Sequence, residues 1–321
     1  MGLIQSSQNN LTVGAPFPAR IAASRRSHKI YPYSRRGWRS SFLLSIVICA
    51  LAACSTPAER ISNEAANYGF TARVIEARGF KHQVYRNNPQ GRIQGPALHV
   101  YLEGDGTPWI NHERVASDPT PRTPLMLRLM ARDMMPSLYL GRPCYHGYAS
   151  TPPCTPELWT DARYSESVIA SMSQVLKKLI EAEGIKSLVF FGHSGGGALA
   201  ILLAERFPET RAVVTIAGNL DVDAWAEMHR YTRLQRSLNP ASRPALDPRI
   251  HQLHLIGERD ANITPQLIEK FESRQQNSEL VVVSDFDHLC CWPKLWPDVL
   301  AWVSVVETSE GRVRKDLQLR Q

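Results

Sequence analysis

Residues 187–208 read SLVFFGHSGGGALAILLAERFP and join an apolar run to a helical one around Ser194. Residues 187–191 are mainly β-branched and aromatic, which predicts a short strand buried on both faces, as a parallel sheet requires. Beyond the glycines, apolar residues recur at helical spacing, and Pro208 ends the pattern. The stretch therefore predicts a strand, a tight turn and a helix, with Ser194 at the turn.

The turn itself, GHSGG at residues 192–196, matches the motif G-x-S-x-G. In that motif the serine stands at the apex of a strained turn, and glycines are needed where a Cβ would collide with the neighbouring strand or helix. Such a turn exposes the hydroxyl of Ser194 and directs the N–H of Gly195 at the group that the serine attacks. The alternatives are a turn that only caps a helix, and a dinucleotide-binding loop, which should follow the first strand of a domain.

A nucleophilic serine needs a histidine and a carboxylate from elsewhere in the chain. Asp260 follows a predicted strand at residues 252–256, and His288 follows another at residues 280–283. All three residues therefore come at the carboxyl ends of predicted strands, where open α/β sheets place their sites. We predict a catalytic triad in which His288 takes the proton of Ser194 and Asp260 orients the imidazole.

Other residues near the triad have competing interpretations. Asp285 and Asp287 flank His288 and are alternative acids, although adjacent side chains on an extended segment point away from each other. Asp221 is a further alternative acid or, as we favour, the cap of the next helix. His193, beside the nucleophile, is interpreted as a packing residue.

Strand and helix patterns alternate along the chain, which predicts an α/β fold with a mostly parallel central sheet and right-handed crossovers. The predicted strands are residues 71–76, 81–86, 97–102, 137–140, 187–191, 212–216, 252–256 and 280–283. Beyond the helix after Ser194, the predicted helices are residues 161–183, 265–273 and about 295–306. Residues 55–67 are interpreted as a polar linker.

On these residues the sequence resembles the α/β-hydrolase superfamily over nearly the whole chain after residue 53. The elbow GHSGG, the acid turn GERDANITP (257–265) and the histidine turn FDH (286–288) carry the resemblance. The motifs EGDG, GRPC, GHSGGGALA, AGNLD and DHLCCW are similar to those of a group of bacterial lipoprotein α/β-hydrolases. The resemblance implies a serine hydrolase of carboxylic esters that works through an acyl-enzyme without a cofactor. An acyltransferase, a peptidase and a non-catalytic lipoprotein on the same scaffold stay open.

The oxyanion hole is expected to combine the N–H of Gly195 with one from the loop after the strand at 97–102. Asp105 is the first choice for the second donor, with Gly104 and Gly106 as alternatives. Glu103 departs from the pattern of the superfamily, in which a histidine is common at this place.

The first 53 of the 321 residues contain seven basic residues and no Asp or Glu. The remaining residues balance 30 basic against 30 acidic side chains, so the composition does not favour a nucleic-acid partner. Residues 42–53 are largely apolar, too short to cross a bilayer, and have the layout of a secretory signal.

Residues 51–54, LAAC, resemble the lipobox of bacterial lipoproteins, in which the cysteine is lipidated and becomes the first mature residue. This resemblance implies that Cys54 anchors the protein in the bacterial envelope, and Ser55 beside it implies the outer membrane, facing the periplasm. Ordinary signal cleavage is the alternative. We expect a leader at 1–53, a lipidated cysteine and linker at 54–68, the hydrolase domain at 69–308 and a polar tail at 309–321.

Four further cysteines follow Cys54, and an exported protein would oxidise them. Cys144 with Cys154 is our first choice of pairing. Cys290 and Cys291 could form a vicinal disulfide, pair with the loop around Cys144, or remain thiols. Because these two are adjacent and the chain has no C-x-x-C, no metal site is predicted.

Two segments are expected to shape the entrance. Residues 221–249 are too few for a large cap domain but contain Trp225, Met228, Tyr231 and Leu234 for a modest lid. The loop at residues 141–160 is expected to form another wall. Such an entrance favours small or medium acyl esters over bulk lipid.

Overall fold

The computed structural model describes residues 55–87, 97–111 and 113–308. The predicted signal segment, Cys54 and the tail at 309–321 lie outside the described residues. Within these residues, no helix combines the length and apolar character that crossing a bilayer requires.

One sheet of eight strands forms the centre of the fold. Its strands are β1 (Thr71–Ala77), β2 (Phe80–Arg86), β3 (Ala97–Leu102), β6 (Ser137–Leu140), β7 (Ser187–His193), β8 (Thr210–Ile216), β9 (His251–Gly257) and β10 (Ser278–Val283). The order is β1-β2-β6-β3-β7-β8-β9-β10, and β1–β2 and β2–β6 are the antiparallel pairs. The two short strands β4 (Trp109–Ile110) and β5 (Arg114–Val115) form a separate ribbon.

Seven α-helices connect and flank the strands in the described residues. They are α1 (Pro57–Asn67), α2 (Leu125–Met130), α3 (Glu166–Glu183), α4 (Gly195–Ala204), α5 (Val222–Met228), α6 (Pro265–Glu272) and α7 (Trp296–Thr308). Between β8 and β9 the chain forms only α5 and one 3-10 turn, Pro240–Ser242, so this described segment has no room for a large cap domain.

The hydrophobic core lies around β3, β7 and α4. All six residues of β3 are buried, and so are all ten residues of α4. Because α4 reads GGGALAILLA, it has no polar face to turn to solvent, and it must pack on all sides. Each fully buried leucine or isoleucine in it contributes roughly 2 kcal/mol of hydrophobic free energy. The helix that follows Ser194 is thereby held rigidly against the sheet.

The predicted mostly parallel sheet with flanking helices is confirmed, and each predicted strand lies within the observed one. The predicted helix at 161–183 begins later, at Glu166, because Ser165 is extended (φ −64°, ψ 160°) and ends the preceding turns.

The polar linker expected at residues 55–67 is instead the helix α1. Thr56 and Glu59 form a reciprocal capping box, with Glu59 N–H donating to Thr56 Oγ1 at 3.1 Å and Thr56 N–H donating to Glu59 Oε2 at 2.8 Å. Ile61 and Ala65 are buried against the core. The expectation was wrong because the segment is polar except for this narrow stripe, although T-P-A-E fits the capping signature.

Candidate active site

Ser194 lies at a strained turn between β7 and α4. Its backbone has φ 53° and ψ −123°, a conformation that residues other than glycine rarely adopt. The flanking glycines permit the turn: a Cβ on Gly192 would lie 2.2 Å from the carbonyl oxygen of Gly196, and one on Gly196 would lie 2.1 Å from that of Leu102. The glycines are thus required by close backbone approach, as the motif predicted.

The structure brings Ser194, His288 and Asp260 into one line of hydrogen bonds. Ser194 Oγ lies 3.0 Å from His288 Nε2, and His288 Nδ1 lies 2.8 Å from Asp260 Oδ2. Ser194 follows β7, Asp260 follows β9 and His288 follows β10. These strands lie in the parallel run β7-β8-β9-β10, so the three residues meet at the same edge of the sheet.

The surroundings of Asp260 determine which nitrogen of His288 carries the proton. Oδ1 of Asp260 accepts the N–H groups of Asn262 (2.8 Å) and Ile263 (2.9 Å), which leaves Oδ2 for the imidazole. Since an ionised carboxylate only accepts hydrogen bonds, Nδ1 of His288 is assigned as the donor. The neutral ring then presents Nε2 as the acceptor for the hydroxyl of Ser194, which is the tautomer that a general base needs.

The alternative acids beside His288 are engaged elsewhere. Asp285 forms an ion pair with Arg259. Asp287 accepts the N–H of Leu289 at 2.8 Å and so closes a local turn. Neither carboxylate contacts the ring of His288 in the described structure.

Asp221 and His193 also have defined partners. Asp221 caps α5 by accepting the N–H of Ala224 at 3.2 Å, as expected. His193 does more than pack, because its Nε2–H donates to the carbonyl oxygen of His288 at 2.8 Å. Burial and the neighbouring His288 lower the pKa of His193 to about 4, so its ring is neutral near pH 7 and holds the backbone of His288 in place.

Asn262 is a site residue that the sequence patterns did not single out. Its Nδ2 donates to His288 Nε2 at 3.3 Å, and its Oδ1 accepts the indole N–H of Trp225 at 3.2 Å. The second contact fixes the orientation of the amide. Its position in the acid turn, two residues after Asp260, was the available signal.

The loop after β3 lies directly against Ser194. A Cβ on Gly104 would lie 3.4 Å from Cβ of Ser194. A Cβ on Gly195 would lie 2.0 Å from Oδ1 of Asp105 and 2.4 Å from the hydroxyl of Tyr164. As the first residue of α4, Gly195 has an N–H without an intrahelical acceptor. The predicted oxyanion residues are therefore adjacent to Ser194.

The carboxylate of Asp105 is buried between two arginines. It lies 2.8 Å from Arg142 Nη1 and 2.9 Å from Arg163 Nη1, and it accepts the hydroxyl of Tyr164 at 2.6 Å. Burial alone would raise the pKa of Asp105, but the two guanidinium groups lower it to about 2. The ion-paired trio therefore carries one net positive charge beside Gly195.

The backbone of the same loop is held by residues that follow β6. Arg142 donates to the carbonyl oxygen of Glu103 at 3.3 Å, and the hydroxyl of Tyr145 donates to that of Asp105 at 3.0 Å. Cys144, between these two residues in the chain, forms the predicted disulfide with Cys154. The loop at 141–160, expected as a wall of the entrance, thus mainly supports the residues beside Ser194, and Thr160 is its one residue among those that line the cavity.

Cys290 and Cys291 form a vicinal disulfide, one of the alternatives left open for them.

Glu103 lies on the cavity wall, where burial raises its pKa to about 7. Its Oε2 accepts the N–H of Met126 at 3.0 Å. Within the described residues, no cluster of three or more potential metal ligands is present.

A cavity of about 1000 Å³ opens above Ser194 and His288. Of the expected lid residues, Trp225, Tyr231 and Leu234 line it, whereas Met228 at the end of α5 is 40% exposed and lies outside the lining.

Comparison with known proteins gives one family match and many similar structures. The family model of the alpha/beta hydrolase fold matches residues 143–243. No curated protein matches the sequence significantly. A membrane phospholipase A, described as a bacterial virulence factor, is 16% identical with a TM-score of 0.53, over 84% of this chain and 100% of that one.

Two further solved structures are similar to the same extent. A candidate lipase from Acinetobacter baumannii AYE is 14% identical with a TM-score of 0.52, over 80% of this chain and 98% of that one. An esterase from Pyrococcus furiosus is 15% identical with a TM-score of 0.53, over 75% of this chain and 92% of that one. At such identities the likeness concerns the fold and leaves the substrate open.

Proposed function

We propose that this chain, which has the α/β-hydrolase fold predicted from its sequence, hydrolyses carboxylic esters with Ser194 as the nucleophile. The observation that carries the proposal is the line of hydrogen bonds from Ser194 through His288 to Asp260. Its lengths are within the reach that general-base activation of a serine requires. The similar structures include an esterase and a candidate lipase, which agrees with ester chemistry.

The proposed reaction begins with attack of Ser194 Oγ on the ester carbonyl carbon, while the hydroxyl proton passes to Nε2 of His288. Asp260 stabilises the imidazolium that forms. When the tetrahedral intermediate collapses, the bond to the alcohol oxygen breaks and that oxygen takes the proton from His288. A water molecule then attacks the acyl-enzyme in the same way, and this step releases the acid and restores Ser194.

The negative oxygen of each tetrahedral intermediate needs hydrogen-bond donors that are already in place. We assign the N–H of Gly195 as one donor and the N–H of Asp105 as the other, with Gly104 as the alternative to Asp105. Removing one such donor typically costs about 3 kcal/mol of transition-state stabilisation. The net positive charge of Asp105, Arg142 and Arg163 supports this assignment, since it favours an anion beside Gly195.

We further propose that the substrate is a small or medium acyl ester and that lipidated Cys54 anchors the enzyme in the bacterial envelope. The described segment between β8 and β9, which forms only α5 and one 3-10 turn, supports the first statement. The LAAC pattern at residues 51–54 supports the second.

Globomycin, which blocks lipoprotein signal cleavage, should make the precursor of the wild type accumulate. It should have no effect on Cys54→Ser, and equal behaviour of the two would contradict the anchor.

A fluorophosphonate probe, which reacts with activated serines, tests the proposed function. Wild type lacking the leader should be labelled, Ser194→Ala should not be, and His288→Ala should be labelled far more slowly. A matched control is Ser237→Ala, which removes a hydroxyl that only contacts backbone groups of residues 161 and 164. Absence of labelling in a folded wild type would contradict the proposal.

A further inference from the structure

Arginines are concentrated around the cavity above Ser194. Four of them line it, namely Arg122, Arg163, Arg230 and Arg233. The acidic residues that line it are Glu103, Asp105 and Asp161. What the cavity offers to a ligand depends on which of these charges are already paired.

The acidic residues of the wall are already occupied. Asp105 is shared by Arg142 and Arg163, and Asp161 lies 2.5 Å from Nε of Arg236. Glu103 accepts a backbone N–H, and its pKa of about 7 leaves it partly uncharged near neutral pH.

The arginines at the mouth have no comparable partners. Arg122 and Arg230 are exposed and form no ion pair with any described residue. Arg233 lies 3.7 Å from Glu227, and both side chains are more than half exposed, so the pair is weak. The lining of the cavity therefore includes unpaired positive charge together with the apolar Trp225 and Leu234.

Arg230 also occupies an unusual backbone position. It follows His229, the C-cap of α5, and has φ 57°, in the left-handed region. Glycine is the usual residue at this place because a Cβ is strained there. An arginine is thus present among the cavity-lining residues at a position where local structure alone would favour glycine.

We infer that the preferred ester carries an anionic group, a carboxylate or a phosphate, which binds Arg230 and Arg122 while the ester carbonyl reaches Ser194. The guanidinium group pairs with both anions through two parallel hydrogen bonds. This inference rests on the proposed function and specifies its substrate class.

The test compares 4-nitrophenyl hexanoate with the mono-4-nitrophenyl ester of adipic acid, which has the same chain and a terminal carboxylate. For the wild type, kcat/KM should be about tenfold higher on the anionic ester, and the preference should shrink in high salt. A third ester with a terminal phosphonate distinguishes carboxylate from phosphate recognition.

Arg230→Gly is the decisive variant because it relieves the backbone while it removes the charge. Its melting temperature should be unchanged or higher, its kcat/KM on the anionic ester should fall about threefold, and its rate on the neutral ester should stay the same. Arg78→Gly is the matched control, since Arg78 has φ 51° in the exposed turn between β1 and β2. This control should not change the preference.

The outcomes separate the two levels of the proposal. Equal kcat/KM of the wild type on both esters overturns the anionic substrate, and an unchanged preference in Arg230→Gly overturns the assignment of the anion to Arg230. Fluorophosphonate labelling of the same preparations reports on Ser194 independently. Labelling with no anionic preference overturns this inference alone, whereas absence of both labelling and hydrolysis overturns the proposed function and the inference with it.

Discussion

Asp105 Oδ1 occupies the space beside Gly195, where a Cβ would lie 2.0 Å from it. The carboxylate can lie there because Arg142 and Arg163 neutralise it and Tyr164 donates a hydrogen bond to it. The loop after β3 is therefore held against the first turn of α4 by side chains from two distant parts of the chain, Arg142 and the adjacent pair Arg163 and Tyr164. Any substitution that separates them should affect catalysis before it affects folding.

Gly195→Ala is the most direct test of this contact. The added methyl group must displace Asp105, which shifts both proposed oxyanion donors, so kcat should fall about a hundredfold or more. Steady-state kinetics and a urea melt on the same preparation separate activity from stability. Gly184→Ala is the control, because it strains a left-handed residue with open space around it at the end of α3. A Gly195→Ala enzyme with normal kcat would contradict the assigned hole.

The role of Asp260 can be separated from that of a nearby carboxylate. Asp260→Asn should lower kcat/KM by about 10⁴, since the amide cannot hold the required tautomer of His288. Asp287→Asn, one residue before the histidine, removes a carboxylate that accepts only backbone N–H groups and should cost less than about fivefold. Similar losses in the two variants would argue against Asp260 as the acid.

Tyr145→Phe tests whether the loop after β6 positions the oxyanion donors. The change deletes only the hydroxyl that donates to the carbonyl oxygen of Asp105. A lost hydrogen bond of about 1 kcal/mol should lower kcat about fivefold and leave KM unchanged. Tyr148→Phe removes a hydroxyl from the same loop, where the ring contacts Lys81 instead. If both variants retain full kcat, the hydroxyl of Tyr145 has no positioning role.

Local sequence patterns were sufficient to predict the strands of the sheet and the proximity of Ser194, Asp260 and His288. Strands buried on both faces leave continuous apolar runs, and parallel strands bring their carboxyl ends to one edge of the sheet. The geometry at that edge needs only short turns after each strand, and those turns carry their own sequence signals.

The supports of the site could not be predicted in the same way. Asp105 contacts Arg142 and Arg163 across 37 and 58 positions of sequence, and such polar contacts leave no periodic pattern. Asn262 is oriented by Trp225, which belongs to the helix α5, 37 positions earlier in the chain. These contacts are decided by how the loops pack, and composition alone misdirected the expectation for the loop at 141–160.

A second buried charge cluster, at the opposite ends of the strands, should make stability depend on pH. Nδ1 of His99 lies 2.6 Å from Oδ2 of Asp133, and Nε2 of His99 lies 3.4 Å from Oε2 of Glu307. Burial alone would lower the pKa of His99, but these two carboxylates raise it to about 9. Since this folded-state pKa exceeds the unfolded value of about 6.5, the stabilisation is complete below pH 6.5 and is lost as the pH rises towards 9.

Urea unfolding between pH 7 and 9.5 should show that the free energy of unfolding of the wild type falls by roughly 1 kcal/mol per pH unit. His99→Gln should be less stable at pH 7 and should lack this slope, whereas an equal slope in both proteins would assign the pH dependence to other groups.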